Sequence, residues 1–157
     1  MLIIGCGNRE RSDDGVGILV AERLRELGIP AESRSGEALD LLDAWGGAGD
    51  VIVIDAMVTG APVGTVQTWE GESTLQCTSH NSSTHGFGVA EAIELAHVLD
   101  RFPPRLRVYG VEGRRFEAGA GMSPEVELAV EEVVRRIIAD VSARTCGGSN
   151  IHSGISI

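Results

Sequence analysis

The sequence predicts an α/β domain of three layers, a twisted and mostly parallel sheet of about five strands, one of them antiparallel, with helices on both faces. Three observations predict it. Met1-Leu2-Ile3-Ile4 is an apolar run of buried-strand length, followed by a glycine-bearing loop and then by Val16, Val20, Leu24 and Leu27 at helical repeats of three and four. Asp50-Val51-Ile52-Val53-Ile54-Asp55 is an unbroken β-branched run, as expected of a strand covered on both faces. Beyond these, strand-like runs alternate with segments of helical period, the pattern of a parallel sheet whose crossovers are helices. A chain of 157 residues has the size of one domain. Residues 1–144 are assigned to it and 145–157 to a flexible tail.

Each element has its own signal. Gly28 and Pro30 stop the first helix, and residues 31–35 form a short polar candidate for an edge strand. Leu39, Leu42 and Trp45, three residues apart, predict a short amphipathic helix over 36–45, closed by Gly46 and Gly47. The strand that begins at Asp50 delivers Asp55 at its carboxyl end. Only Ala56 to Val63 separate it from Gly64-Thr65-Val66-Gln67-Thr68-Trp69. A parallel crossover needs about a dozen residues, so an antiparallel neighbour is predicted there. Residues 70–85 are polar and aperiodic, and loops of that length in a compact domain are functional or disordered. Val89, Ala92, Ile93, Ala96 and Leu99 predict a helix over 87–100, ended by Phe102-Pro103-Pro104, and 106–111 reads as a strand. A glycine-rich loop over 112–122 leads to Ser123-Pro124, an N-cap and N1 proline. The helix after it carries a wide apolar stripe through Val126, Val130, Val133, Ile137 and Val141. From Thr145 the period is lost, hence the tail.

Composition removes several functions. A formal net charge of −10 opposes general affinity for nucleic acid or for an anionic membrane. No apolar run approaches the roughly 20 residues of a membrane span, and no signal-peptide pattern is present. All 13 basic residues are arginine, so neither Schiff-base lysine chemistry nor a P-loop lysine is available. Cys6, Cys77 and Cys146 are not spaced as a disulfide framework or a zinc knuckle and are read as reduced thiols of a soluble, cytoplasmic protein. A monomer is expected, because no coiled-coil pattern or dimer stripe stands out.

The chemistry gathers around Gly5-Cys6-Gly7-Asn8-Arg9-Glu10-Arg11-Ser12-Asp13-Asp14-Gly15-Val16-Gly17. A dinucleotide fingerprint would need glycine where Glu10 stands, and Asp13 and Asp14 would repel a phosphate at the helix start. A metal cation is the better guest. Asp13 is the stronger N-cap candidate of the two acids. In open sheets, ligands bind beyond the carboxyl ends of the strands, which brings together this loop, Asp55 and the loop after Val111, with His85 returning from the long polar loop. Asp14, Asp55 and His85 offer two carboxylates and an imidazole to a first-row divalent ion, imidazole suiting nickel or zinc. Each residue also has a plainer reading: Asp14 as a capping acid, Asp55 as half of a structural ion pair, His85 as an exposed loop residue. His80, with Cys77 three residues before it, competes with His85. His97 and His152 are assigned no catalytic part, Cys6 reads as a small apolar filler rather than a nucleophile, and no serine-elbow motif occurs.

Four segments taken together resemble the nickel-iron hydrogenase maturation proteases: Gly5-x-Gly7-Asn8-x4-Asp13-Asp14-Gly15-Val16-Gly17, Val53-Ile54-Asp55-Ala56, Ser83-Thr84-His85-Gly86-Phe87-Gly88, and Gly110-Val111-Glu112 through Met122-Ser123-Pro124-Glu125-Val126. The resemblance covers about residues 1 to 142. It implies an endopeptidase that removes a C-terminal peptide from the precursor of a nickel-iron hydrogenase large subunit once nickel is in place. It also implies that Asp14, Asp55 and His85 are the metal ligands and catalytic residues, that nickel is presented by the substrate, and that zinc or another divalent ion can occupy the site. The nucleophile stays unassigned. Three departures stand out: Asp14 where the resembled family often has Glu, a shorter ligand that keeps the charge; Arg9-Glu10-Arg11-Ser12 where relatives often carry apolar residues; and Glu112-Gly113 in place of a common Glu-Pro. A non-catalytic module of the same fold that binds metal or precursor is the alternative function, and a nucleotide-binding α/β protein the structural one.

Overall fold

The computed structural model of the chain describes residues 1–74 and 87–152. In chain order the elements are β1 (Leu2–Cys6), α1 (Val16–Glu26), β2 (Glu32–Arg34), α2 (Ala38–Trp45), β3 (Asp50–Met57), β4 (Val66–Glu70), α3 (Phe87–Val98), β5 (Arg105–Glu112) and α4 (Pro124–His152). They form one five-stranded sheet in the order β2-β1-β3-β5-β4, parallel throughout except for β4.

The apolar run of β3 explains the layering. Val51, Val53 and Met57 face a core shared with α2 and α3, together with Ile4, Leu41, Trp45, Ile93 and Val108. Ile52, Ile54 and Ala56 face the opposite core, with Ile3, Val20, Leu24, Tyr109, Val133 and Ile137 beneath α1 and α4. Alternate side chains of one strand thus feed two cores. Burying each large aliphatic side chain contributes about 1.5–3 kcal/mol, so β3 and its two covers are the main stabilising unit.

Register then sets the rim. Gly5 pairs with Ile54, Asp55 with Gly110, and Met57 with Glu112. The carboxyl ends of β1, β3 and β5 therefore lie side by side, bringing Cys6, Asp55 and Glu112 to one edge of the sheet.

Three expectations change. β4 is antiparallel, but it pairs with β5 and not with β3. The eight-residue β5 is buried along most of its length and takes the place beside β3, whereas β4, with only Trp69 fully buried, suits the edge. In α2 the buried residues are Ala38, Leu41, Leu42 and Trp45, a stripe at offsets of three, four and seven, while Leu39 is 72% exposed. α4 stays helical to His152, past the start expected for the tail at Thr145. Gly147 and Gly148 each weaken a helix by about 1 kcal/mol without forbidding it. No helix among the described residues is long and apolar enough to cross a membrane.

Candidate functional site

The loop between β1 and α1 is shaped by close backbone approach. A Cβ on Gly5 would strike the Gly17 carbonyl oxygen, and one on Gly17 would strike the carbonyl oxygens of Cys6 and Ile54. The first turn of α1 therefore lies directly against β1 and β3, which only glycine at both positions permits. Gly7, at φ 135°, turns the chain out of β1 in a region that side chains disfavour. Just beyond it, the Asn8 N–H donates to Asp14 Oδ2 at 3.1 Å and to the Asp14 carbonyl oxygen at 3.3 Å. The Asn8 side-chain oxygen accepts from the Glu10 N–H at 2.9 Å. These bonds fix the Asp14 carboxylate at the mouth of β1.

Asp13 and Asp14, adjacent in sequence, do opposite work. Asp13 is fully buried and does not cap α1, whose N-cap position is Gly15 and has no side-chain bond. Its carboxylate reaches the loop after β5: Oδ2 accepts from the N–H groups of Arg114 at 2.8 Å and Arg115 at 2.9 Å and from Ser123 Oγ at 2.8 Å, and Oδ1 accepts from the Ser123 N–H at 2.7 Å. Burial raises its pKa, but these bonds outweigh burial and hold the carboxyl below its ordinary value. The Asp13 N–H to Arg115 carbonyl bond (2.8 Å), Arg11 Nε to the Phe116 carbonyl (3.2 Å) and Ser12 Oγ to the Glu117 carbonyl (2.6 Å) complete the seam. Asp13 is a structural anchor, which corrects its reading as an N-cap.

Asp55 closes the site from below. It is 7% exposed, and among the described residues its carboxylate accepts one hydrogen bond, from the Ala56 N–H at 2.8 Å. Burial, and after it the charge of Asp14, push its pKa well above the usual carboxylate range, with the Ala56 N–H pulling the other way. Asp14 thus lies close enough for its charge to act on Asp55. Two facing carboxylates of this kind fit a hard or borderline divalent cation, which would relieve both burial and mutual repulsion. The described residues contain no group of three or more His, Cys, Asp or Glu arranged for a metal. His85, His80 and Cys77 lie outside the described residues.

Cys6 is fully buried beside these acids. Burial first, then the charges of Asp55 and Asp40, push its thiol well upward; Arg34 opposes them and Asp14 adds to them. A thiol held neutral is a poor nucleophile, in line with its reading as a filler. His97 is exposed on α3.

Glu112 escaped the sequence analysis as a working residue. It is 2% exposed at the end of β5, where its carboxylate accepts from the Thr59 N–H at 2.9 Å, Thr59 Oγ1 at 2.8 Å and the Gly60 N–H at 3.1 Å. It thereby holds the turn after β3 against the rim. An acid at the end of an apolar strand was its signal, the same signal that singled out Asp55.

The HycI family model, described as hydrogenase maturation protease, matches residues 36–140. The chain is 25% identical over 146 residues to the hydrogenase 2 maturation protease of Escherichia coli (strain K12), covering 88% of each chain. Among solved structures it is similar to the [NiFe] hydrogenase maturation protease HybD from Thermococcus kodakarensis, with TM-score 0.73, 25% identity, and coverage of 90% of this chain and 97% of that one. The hydrogenase maturating endopeptidase HybD from E. coli has TM-score 0.77 and 22% identity, with coverage of 91% and 92%. At that identity the second structure speaks for the fold.

Proposed function

The chain belongs to the hydrogenase maturation protease family, and from that membership together with its paired acids we infer that it is an endopeptidase acting on the precursor of a nickel-iron hydrogenase large subunit, from which it removes a C-terminal peptide. One observation carries the reading of the site: Asp55 is buried at the end of β3, and the charge of Asp14 adds to burial in raising its pKa. Such a pair is destabilising by itself and becomes favourable when a divalent cation arrives. The nickel of the loaded precursor is that cation, bound by Asp14 and Asp55 with His85 as the third donor; zinc or another divalent ion can take the same place. Cleavage then reports that the metal has been inserted. A bound divalent ion supplies polarisation of a nearby carbonyl or water. The chain's own residues orient the precursor: Asn8 fixes Asp14, Asp13 fixes the loop of residues 113–122, and Glu112 fixes the turn at Thr59 and Gly60. The nucleophile is left unassigned. The protein acts as a monomer in the cytoplasm, where a free buried thiol such as Cys6 stays reduced.

The test is intact-mass analysis of a large-subunit precursor, loaded with nickel or left without it, after incubation with the protein. Loss of a C-terminal peptide from the loaded form alone is the expected result, and Asp55→Asn and His85→Ala are each expected to abolish it in a folded protein. Full processing by both variants would overturn the site. Binding of loaded precursor without peptide release would assign the chain to a non-catalytic maturation module.

A further inference from the structure

β2 is the outer strand of the sheet beside β1, and among the described residues no strand pairs with its far side. The Gly7 N–H donates to the Arg34 carbonyl oxygen at 3.1 Å, so the main-chain groups of Arg34 face β1. In a parallel ladder, successive residues turn their N–H and C=O groups to opposite sides. Those of Ser33, and of Ser35 where the chain continues past β2, therefore point outward from the sheet. Two observations agree. Ser33 and Ser35 are exposed while Arg34 between them is half-buried, and the Ala31 carbonyl oxygen, two residues before Ser33, accepts from the Arg25 guanidinium at 2.8 Å and not from β1. Arg25 also reaches the Ser33 hydroxyl at 3.2 Å, but no described group bonds the outward main chain of Ser33 or Ser35.

This free edge opens onto the site. Ser33, Arg34 and Ser35 line a cleft of about 530 Å³ together with Gly7, Asn8 and Asp14. Arg9 and Arg34 in the same cleft are already paired with acids, Arg9 with Glu22 and Arg34 with Glu32 and Asp40. What the cleft leaves unpaired is main chain. Strand spacing then decides between the two edges of the sheet. With neighbours about 4.8 Å apart, a strand added to β2 lies about 10 Å from β1, whose end leads to Asp14, and one added beyond β4 lies about 19 Å away. Residues 31–36 contain no proline, and the β1–β2 register runs without a bulge, so neither device that blocks an edge is present. With only three residues, β2 is too short to hold another sheet by itself, but it can hold a peptide that is anchored a second time at the adjoining site.

We propose that the precursor's C-terminal segment enters in extended form as a sixth strand on the free edge of β2, its main chain bonded to the outward N–H and C=O groups of Ser33 and Ser35. The inference rests on the protease reading and names how that site takes its substrate. Strand addition draws its affinity from main-chain hydrogen bonds. It therefore aligns a segment beside Asp14 without demanding particular side chains, and leaves recognition of the loaded state to the metal.

Pulsed hydrogen exchange during turnover of saturating nickel-loaded precursor, read at single amides, tests it in the wild type. The amides of Ser33 and Ser35 are expected to slow about tenfold or more, and that of Arg34, which already faces β1, far less. Kinetics supply a second reading. Ser35→Pro removes an outward N–H and none that faces β1, and is expected to lower kcat/KM about tenfold through KM. Ser35→Ala keeps the N–H and is expected to lose about twofold at most. Unchanged exchange at both serine amides while the wild type cleaves overturns the inference and leaves the protease reading standing. Equal losses in Ser35→Pro and Ser35→Ala also overturn it, because the hydroxyl and not the main chain is then read. Slowing that appears on raising the protein concentration without precursor assigns the edge to a second copy of the chain and overturns it as well. Absence of cleavage by the wild type removes the protease reading and this inference with it.

Discussion

Asp13→Asn removes one negative charge from the centre of the seam and changes no atom positions by necessity, so its effect can be worked bond by bond. The carboxylate takes four hydrogen bonds, three at Oδ2 and one at Oδ1. Asparagine serves best with its oxygen in the place of Oδ2, which keeps three bonds but makes them neutral. Hydrogen bonds to a charged acceptor contribute about 1.5–3 kcal/mol and neutral ones about 0.5–1.5, so these three together lose on the order of 2–4 kcal/mol. The amide NH2 then faces the Ser123 N–H, donor against donor, in a fully buried position, which costs about 1–3 kcal/mol more. The sum is about 3–7 kcal/mol, against a typical domain stability of about 5–15. Urea unfolding measures it: the midpoint should fall with the slope unchanged. The wild-type advantage also has a pH signature. The folded carboxyl lies below its unfolded value, so its stabilisation is fully present above the unfolded pKa of about 3.9 and is lost as pH falls through the folded one. The two proteins should therefore converge in acid. A loss below about 1 kcal/mol at neutral pH, or a difference that persists in acid, would refute the account of Asp13 as a charged anchor.

Two further outcomes follow from the same reasoning. Asp55→Asn should raise the unfolding midpoint of the protein in chelator at neutral pH, even though it ends processing. The folded Asp55 carboxyl lies above its unfolded value, so keeping Asp55 costs stability only above the unfolded pKa of about 3.9; melts at pH 7 and below pH 4 should show the gain at the first and lose it at the second. Gly17→Ala should destabilise by about 3 kcal/mol or more, or prevent folding, because its methyl meets the carbonyl oxygens of Cys6 and Ile54, which are backbone atoms that cannot turn aside; soluble yield and urea unfolding check it.

The parts of the fold legible in sequence were those with a single physical cause. β3 announced itself by an apolar run that only a doubly covered strand can bury, and the start of α4 by Ser123-Pro124. The pairing of β4 was not legible, because the short connection fixes its direction but not which strand it lies beside; that depends on β5, more than thirty residues later. Leu39 was misplaced for a different reason. In an eight-residue helix, a three-residue spacing fits more than one face, and the choice falls to Ala38, Leu41 and Trp45 packing against α3. At the site, Asp55 was legible because an acid ending a buried strand requires a partner. The division of labour between Asp13 and Asp14 was not, since it depends on the loop at Arg114 and Arg115, a hundred residues away along the chain.

That division explains how the chain tolerates its site. Asp55 is buried beside Asp14, whose charge adds to burial in raising its pKa. A surface loop would relax by turning one acid into solvent. Here it cannot, because the turn that carries Asp14 is fastened from both sides, by the Asn8 N–H at Asp14 itself and by the four bonds to Asp13 one residue earlier. The Asp13 network is a carboxylate surrounded by donors, the reverse of the environment of Asp55. Its several kcal/mol offset what the paired acids forfeit, and the surplus is localised in the residue next to Asp14. On the proposed metal reading, a cation that removes the repulsion between Asp14 and Asp55 would bind more tightly by the strain it relieves. Weakening Asp13 should accordingly loosen metal binding at Asp14 as well as the fold, so that Asp13→Asn, tested at a temperature where it remains folded, binds nickel or zinc less tightly than the wild type although it loses no ligand. Equal affinity in calorimetry would show that the anchor serves stability alone.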